Sequence, residues 1–279
     1  RTLLWSRDYY DYYRNDRAGV DVSYRFTPAQ LTANAGVTFE HHSPLEKTVD
    51  GALFGSSYVQ RPNPAIETGQ VRTAHLGLRW REMSMHAGFT GAKGAVVEIE
   101  HSSPRMLDSD AEFTRVDTEA IWRFETFLRR RMFPCTLDIY MKGGAVTGKP
   151  PVEHFGALDG TLGVLSPFGT FRSLRNRQLA GERWCGLFME HNFRTVPFEI
   201  LRLNWLADRN VTVILHGAAG RSWLSKEKQA LMPYVPYRDR LTSEIGFSVN
   251  TIYSLFRIDV TKRLDRKGGT VGVWIARYI

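Results

Sequence analysis

Residues 160–194 read Gly160-Thr-Leu-Gly-Val-Leu-Ser-Pro-Phe-Gly-Thr-Phe-Arg-Ser-Leu-Arg-Asn-Arg-Gln-Leu-Ala-Gly-Glu-Arg-Trp-Cys-Gly-Leu-Phe-Met-Glu-His-Asn-Phe-Arg194. A glycine-rich approach delivers one arginine, Arg172, among Phe171, Ser173 and Leu174. A basic turn through Arg175 and Arg177 follows, then Gly181-Glu182-Arg183 and a strand that ends Glu190-His191-Asn192-Phe193-Arg194. On that strand Cys185 has the apolar parity and Glu190 the inward one, since side chains alternate between the two faces of a sheet. The stretch is a long loop feeding a strand, and the rest of the chain says what wall that strand belongs to.

Upstream, the same period of two recurs. Val20, Val22, Tyr24 and Phe26 alternate with Asp21, Ser23, Arg25 and Thr27; past the Thr27-Pro28 turn, Leu31, Ala33, Ala35, Val37 and Phe39 share one face. Two such strands joined by a tight turn make an antiparallel hairpin. Residues 43–70 carry Pro44, Pro62 and Pro64 with no period and read as a long loop. Further alternating runs lie at 73–81, 95–100, 115–125 and 135–142, which puts six or seven strands before the loop. Five more follow, near 182–194, 210–222, 241–251, 254–264 and 268–279. One alternating strand also fits a soluble sandwich. Full charges of both signs on the polar face of strand after strand, with loops alternating long and short, fit a large barrel with a wet lumen.

Composition agrees without deciding. Hydrophobic content is 43% and mean hydropathy −0.30, values that suit a soluble protein and equally a membrane barrel, whose lipid-facing and lumen-facing residues cancel. No run reaches the ~18 apolar residues of a spanning helix. The formal charge of +8 is spread one or two arginines per strand rather than gathered in a patch, which argues against nucleic acid as a partner. Tyr9, Tyr10, Tyr12 and Tyr13 among charged residues suit a bilayer interface or an aromatic-rich loop. Cys135 and Cys185 fit no zinc pattern and read as small lipid-facing residues, each beginning a strand of opposite direction and so near opposite membrane faces, too far apart to bridge.

The order glycine-rich run, Phe171-Arg172-Ser173-Leu174, Gly181 and a strand ending in Glu190 resembles the signature loop and following strand of the BamA/TamA/FhaC superfamily of outer-membrane assembly and translocation barrels. The wording of Phe-Arg-Ser-Leu and Glu-His-Asn-Phe-Arg is most similar to Bacteroidota members that carry a carboxypeptidase-regulatory-like domain. Ser173 stands where the family usually has glycine. The resemblance implies an all-β, antiparallel transmembrane β-barrel whose long loop folds into the lumen. Residues 1–279 would then be the carboxy-terminal domain of a sixteen-stranded barrel, with about 11–12 strands in this chain and the amino-terminal strands and periplasmic domains absent. A smaller barrel is the alternative.

The resemblance also implies a function: insertion or translocation of outer-membrane or surface proteins in the bacterial outer membrane, without catalysis or cofactor. The expected partners are client proteins, outer-membrane lipids and lipopolysaccharide, and accessory periplasmic or surface lipoproteins. A guanidinium inside the lumen loses bulk water and requires a carboxylate. Glu190 is the first candidate, with Glu244 and Asp259 behind it; otherwise Arg172 is a solvated loop arginine. The family's usual acid falls at Ala218 here. The last strand, with Gly268, Gly269, Gly272, Trp274 and Ile279, would pair weakly with the first and form a lateral seam.

Other motifs carry less. Gly143-Gly-Ala-Val-Thr-Gly148-Lys149-Pro150 has the glycines and lysine of a P-loop but no following hydroxyl, and reads as an ordinary glycine loop. His41-His42 reads as a polar rim, and the eight histidines form no metal motif. No Gly-x-Ser-x-Gly elbow is present. Three rivals stay open: a passive outer-membrane channel or anchor barrel, a rim-sited outer-membrane enzyme, and a soluble β-sandwich.

Overall fold

The computed structural model describes residues 12–46, 66–81, 93–126, 134–161, 167–174, 178–231, 239–250 and 256–275. In chain order the strands are β1 (Tyr13–Phe26), β2 (Leu31–Pro44), β3 (Gly69–Trp80), β4 (Lys93–Ser102), β5 (Glu112–Glu125), β6 (Thr136–Lys149), β7 (Gly156–Asp159), β8 (Gln178–Gly181), β9 (Arg183–Arg194), β10 (Thr212–Trp223), β11 (Thr242–Asn250), β12 (Phe256–Arg263) and β13 (Gly269–Ile275). Eleven of them form one sheet in the order β1-β2-β3-β4-β5-β6-β9-β10-β11-β12-β13, while β7 and β8 pair separately. Every neighbouring pair in the large sheet is antiparallel. Six sheet strands precede the long loop and five follow it, as their periodicity predicts.

Two faces result. The outer one is apolar along its length: Val20, Val22, Leu76, Leu78, Met141, Leu187, Ile245, Phe247, Val271 and Val273 are all exposed. Near one rim it turns aromatic, where Trp80 and Trp122 lie 6.0 Å apart between ring centroids and Lys93 sits 5.0 Å over the Trp122 ring. An apolar band bordered by amphipathic rings is the surface a bilayer solvates. The inner face carries the charges. Arg123 forms a two-pronged pair with Asp138 at 2.6 and 2.8 Å across β5 and β6, and Arg115 meets Asp117 at 2.6 Å.

β6 pairs directly with β9, from Thr136 opposite Asn192 to Ala145 opposite Arg183. The β7–β8 ribbon therefore belongs to an excursion between two adjacent wall strands, and it packs on the inner face. Part of this arrangement departs from the expected one. Gly143–Lys149, the P-loop-like run, is no loop; it is the second half of β6. Its glycines serve packing, because a Cβ on Gly144 would come within 2.4 Å of the Trp184 indole. Cys135 is buried rather than lipid-facing, and its thiol donates to the Phe193 carbonyl at 3.4 Å. Cys185 is exposed, opposite Gly143. Both thiols are free, held near opposite ends of the β6–β9 pair by a ladder that rises roughly 3.3 Å per residue.

Loop lengths do not alternate cleanly either. The link from β9 to β10 folds into two helical turns, α2 (Val196–Ile200) and α3 (Asn204–Asp208), after α1 (Pro104–Leu107) and before α4 (Lys226–Leu231). It exposes Ile200, Leu201 and Trp205. Of the amino-terminal tyrosines, Tyr9 and Tyr10 lie outside the described residues, while Tyr12 and Tyr13 are exposed.

Candidate functional site

The tip of the long loop is tied to β7 by its own backbone. Phe171 N–H donates to the Asp159 carbonyl at 2.8 Å, and Thr161 N–H donates to the Phe171 carbonyl at 3.1 Å. The Phe171 ring is wholly buried and meets Phe188 edge-on at 5.1 Å. Leu174, Leu158, Tyr140 and Trp184 complete the apolar cluster around it. The floor beneath is Gly220, where a Cβ would stand 2.9 Å from the Phe171 ring and 2.7 Å from Leu158. A side chain there would expel the ring, so the glycine on β10 makes the slot that Phe171 fills.

With Phe171 seated, Arg172 points at three wall strands. Its guanidinium contacts the Glu190 carboxylate on β9, pairs with Asp259 on β12 at 3.1 Å, and donates to Ser248 Oγ on β11 at 3.4 Å. Glu244 on β11 grips the backbone instead. It accepts Arg172 N–H at 2.7 Å and Ser173 N–H at 3.0 Å, and the Ser173 hydroxyl donates to the same carboxylate. The serine in the usual glycine position thus supplies an extra donor. A second guanidinium, Arg257, closes the network, with Asp259 at 2.8 Å, Glu190 at 3.3 Å and Ser248 at 2.9 Å.

Two guanidinium groups and three carboxylates are buried here together. Desolvating such charges is costly, and the arrangement holds only because each ion meets an opposite charge or several donors. Removing one partner from a buried set costs about 3–5 kcal/mol, since the remaining charge has no water to turn to. Without Arg172, Glu190 and Asp259 lose one of the guanidinium groups that neutralise them.

Phe171, Arg172, Ser173, Leu174, Glu190, Glu244 and Asp259 converge at one place. Gly181 does not join them; it ends β8 opposite Gly156. Gly269, Gly272 and Trp274 lie on β13 opposite Lys262, Asp259 and Arg257, and Ile279 is outside the described residues. Among the described residues neither β13 nor β1 has a partner on its other edge. Ala218 packs against the apolar cluster. Sequence reasoning missed Arg257, Ser248 and His216, although Arg257 has the parity of Asp259 two residues on. His216 Nδ1 lies 3.1 Å from Ser248 Oγ and Nε2 lies 3.0 Å from Thr261 Oγ1. This is no nucleophile and base: Ser248 is wholly buried, accepts from two arginines, and the imidazole's second nitrogen meets a hydroxyl rather than an orienting carboxylate.

A second polar cluster forms where the loop leaves β6. His154, in a single 3₁₀ turn Val152–His154, reaches Glu100 on β4 and Glu40 on β2, each at 3.5 Å. Burial works against a charge on His154, yet the two carboxylates outweigh it and push its pKa up to about 9. His42, expected at a polar rim, is buried beside Glu40 instead. Among the described residues, Glu40, His42 and His154 form the group that could hold a metal ion.

Two solved structures share the fold. BamA from Haemophilus ducreyi lacking POTRA domains 1–3 superposes with a TM-score of 0.58 at 11% identity, covering 94% of this chain and 55% of that one. CdiB from Acinetobacter baumannii superposes with a TM-score of 0.54 at 11% identity, covering 94% of this chain and 41% of that one. The chain thus spans about half the length of the first and two fifths of the second. No family model matches the sequence, and no curated protein matches it.

Proposed function

We propose that the chain is the barrel domain of an outer-membrane assembly or translocation protein, akin to BamA and CdiB. In this reading it inserts or translocates outer-membrane or surface proteins without covalent chemistry. The observation that carries the reading is the buried junction of Arg172 with Glu190, Glu244 and Asp259, on a sheet with the BamA and CdiB fold. A wall that must yield at one place and hold elsewhere would use a loop tip fixed to three wall strands, because the junction stiffens β9 to β12. In this reading Gly269, Gly272 and Trp274 on β13 border a lateral seam that templates an incoming strand.

In this reading the apolar outer face lies in the lipid of the bacterial outer membrane, and the partners are lipopolysaccharide, client proteins and accessory lipoproteins. The Phe171-Arg172-Ser173-Leu174 wording supports a Bacteroidota-like member in this reading.

The test is reconstitution into liposomes, with insertion of an urea-unfolded outer-membrane barrel followed by protease protection. Wild type is expected to accelerate insertion several-fold over empty liposomes, and Arg172→Ala to abolish the gain while keeping its heat-modifiable migration. Equal insertion with and without the protein, together with ion conductance indifferent to Arg172, would establish a passive channel instead.

A further inference from the structure

We propose that Glu40, His42 and His154 form a zinc(II) site that fastens the root of the long loop to β2. Both imidazoles direct Nε2 at the same atom, Glu40 Oε2, at 3.2 Å from His42 and 3.5 Å from His154. One donor atom from each residue can be chosen so that all three lie within 4.8 Å of one another. Zinc bonds of about 2.0–2.1 Å in a tetrahedron put donor atoms roughly 3.3–3.4 Å apart, so the Glu40 edges already have the right length. Two imidazoles and one carboxylate suit zinc better than the hard cations calcium and magnesium, which take all-oxygen shells.

The groups behind the ligands argue for the same ion. A metal-bound imidazole usually presents its far N–H to a carboxylate. Here His154 Nδ1 faces Glu100 at 3.5 Å, and His42 Nδ1 lies against Glu153 Oε1. The Glu153 side chain is only 7% exposed. Each ring therefore stands between two carboxylates, with Glu40 on the Nε2 side and Glu153 or Glu100 behind Nδ1. The other oxygen of Glu40 is already held, by Arg17 at 3.2 Å and Asn15 at 3.4 Å, which leaves Oε2 for the metal.

Entry and function follow from position. Glu40, Glu153 and His154 border a cavity of about 770 Å³ on the inner face, an open route that also leaves room for water as a fourth ligand. In the sheet β2 is separated from β6 by β3, β4 and β5. A metal shared by β2 and the turn after β6 would brace the loop's root across four strand spacings, at a place remote from Arg172.

The experiment is zinc titration by calorimetry of the purified protein in detergent micelles after chelator treatment, with cobalt(II) absorption as a second readout. Wild type is expected to take up one zinc per chain and to give the visible bands of tetrahedral cobalt. His42→Ala and His154→Ala should each weaken binding by at least about 100-fold and Glu100→Gln by roughly 10-fold, the range seen when an outer partner is lost. His101→Ala, a histidine outside the cluster, should bind like wild type. Should the alanine variants fail to fold, X-ray absorption of zinc-loaded wild type decides, with two imidazole ligands expected. A shell without imidazole, binding by His42→Ala/His154→Ala equal to wild type, or no uptake by wild type would each overturn the proposal.

Discussion

The inner faces at the two ends of the sheet carry similar residues and meet different fates. On β12, Arg257, Asp259, Thr261 and Arg263 are all buried. On β1 the same alternation leaves Asp21 61% exposed, with His75 as its ion-pair partner. Strand geometry is the same in both; the difference is the loop, whose tip lies against β9 to β12. Inward polarity by itself produces a wet wall. It becomes a packed junction only where a covering segment delivers the counter-charge and an apolar ring to exclude water, as Phe171 and Arg172 do together.

If this contrast is right, substitutions on the covered side should cost several times what they cost on the open side. Arg172→Ala should have the largest effect, about 3–5 kcal/mol lost from urea unfolding in micelles together with trypsin cleavage in the loop. Arg172→Lys should recover only part of it, because an ammonium cannot engage Glu190, Asp259 and Ser248 from one planar group. Gly220→Leu should cost roughly 1–3 kcal/mol by filling the Phe171 slot, read as a lower melting temperature with the loop newly open to protease. Ser173→Ala removes one hydroxyl donor from Glu244 but neither backbone N–H, so a loss of about 1 kcal/mol is expected in the same unfolding assay. Asp21→Asn, on the open side, should change the unfolding midpoint by no more than about 0.5 kcal/mol, since an exposed pair is worth little. A loss at Asp21 as large as at Arg172 would erase the distinction between the two ends.

Much of this was legible beforehand. Strands announce themselves by alternation, and the inward parity of Glu190 and the buried ends of Glu244 and Asp259 follow from it. Other features are not written locally. Gly143 and Gly144 hide the period of β6 because glycine shows no face, and the reason for Gly144, the Trp184 indole, lies on another strand. His42 looked like a rim residue because the turn that covers it begins only after Pro151. Arg257 could have been found, two residues from Asp259 on one face, but parity does not tell which of many inward arginines will be covered.

The direct ladder between β6 and β9 has one more consequence. Because Ala145 and Arg183 are already neighbours and β6 runs on to Lys149 against β5, the wall is continuous without residues 150–181. The excursion is a cassette inserted beside a finished ladder, and grafted onto another barrel it would need a glycine floor and three acids to receive it. Selection can thus exchange the plug and the wall independently, rewriting what the interior does without redrawing the strands that hold it.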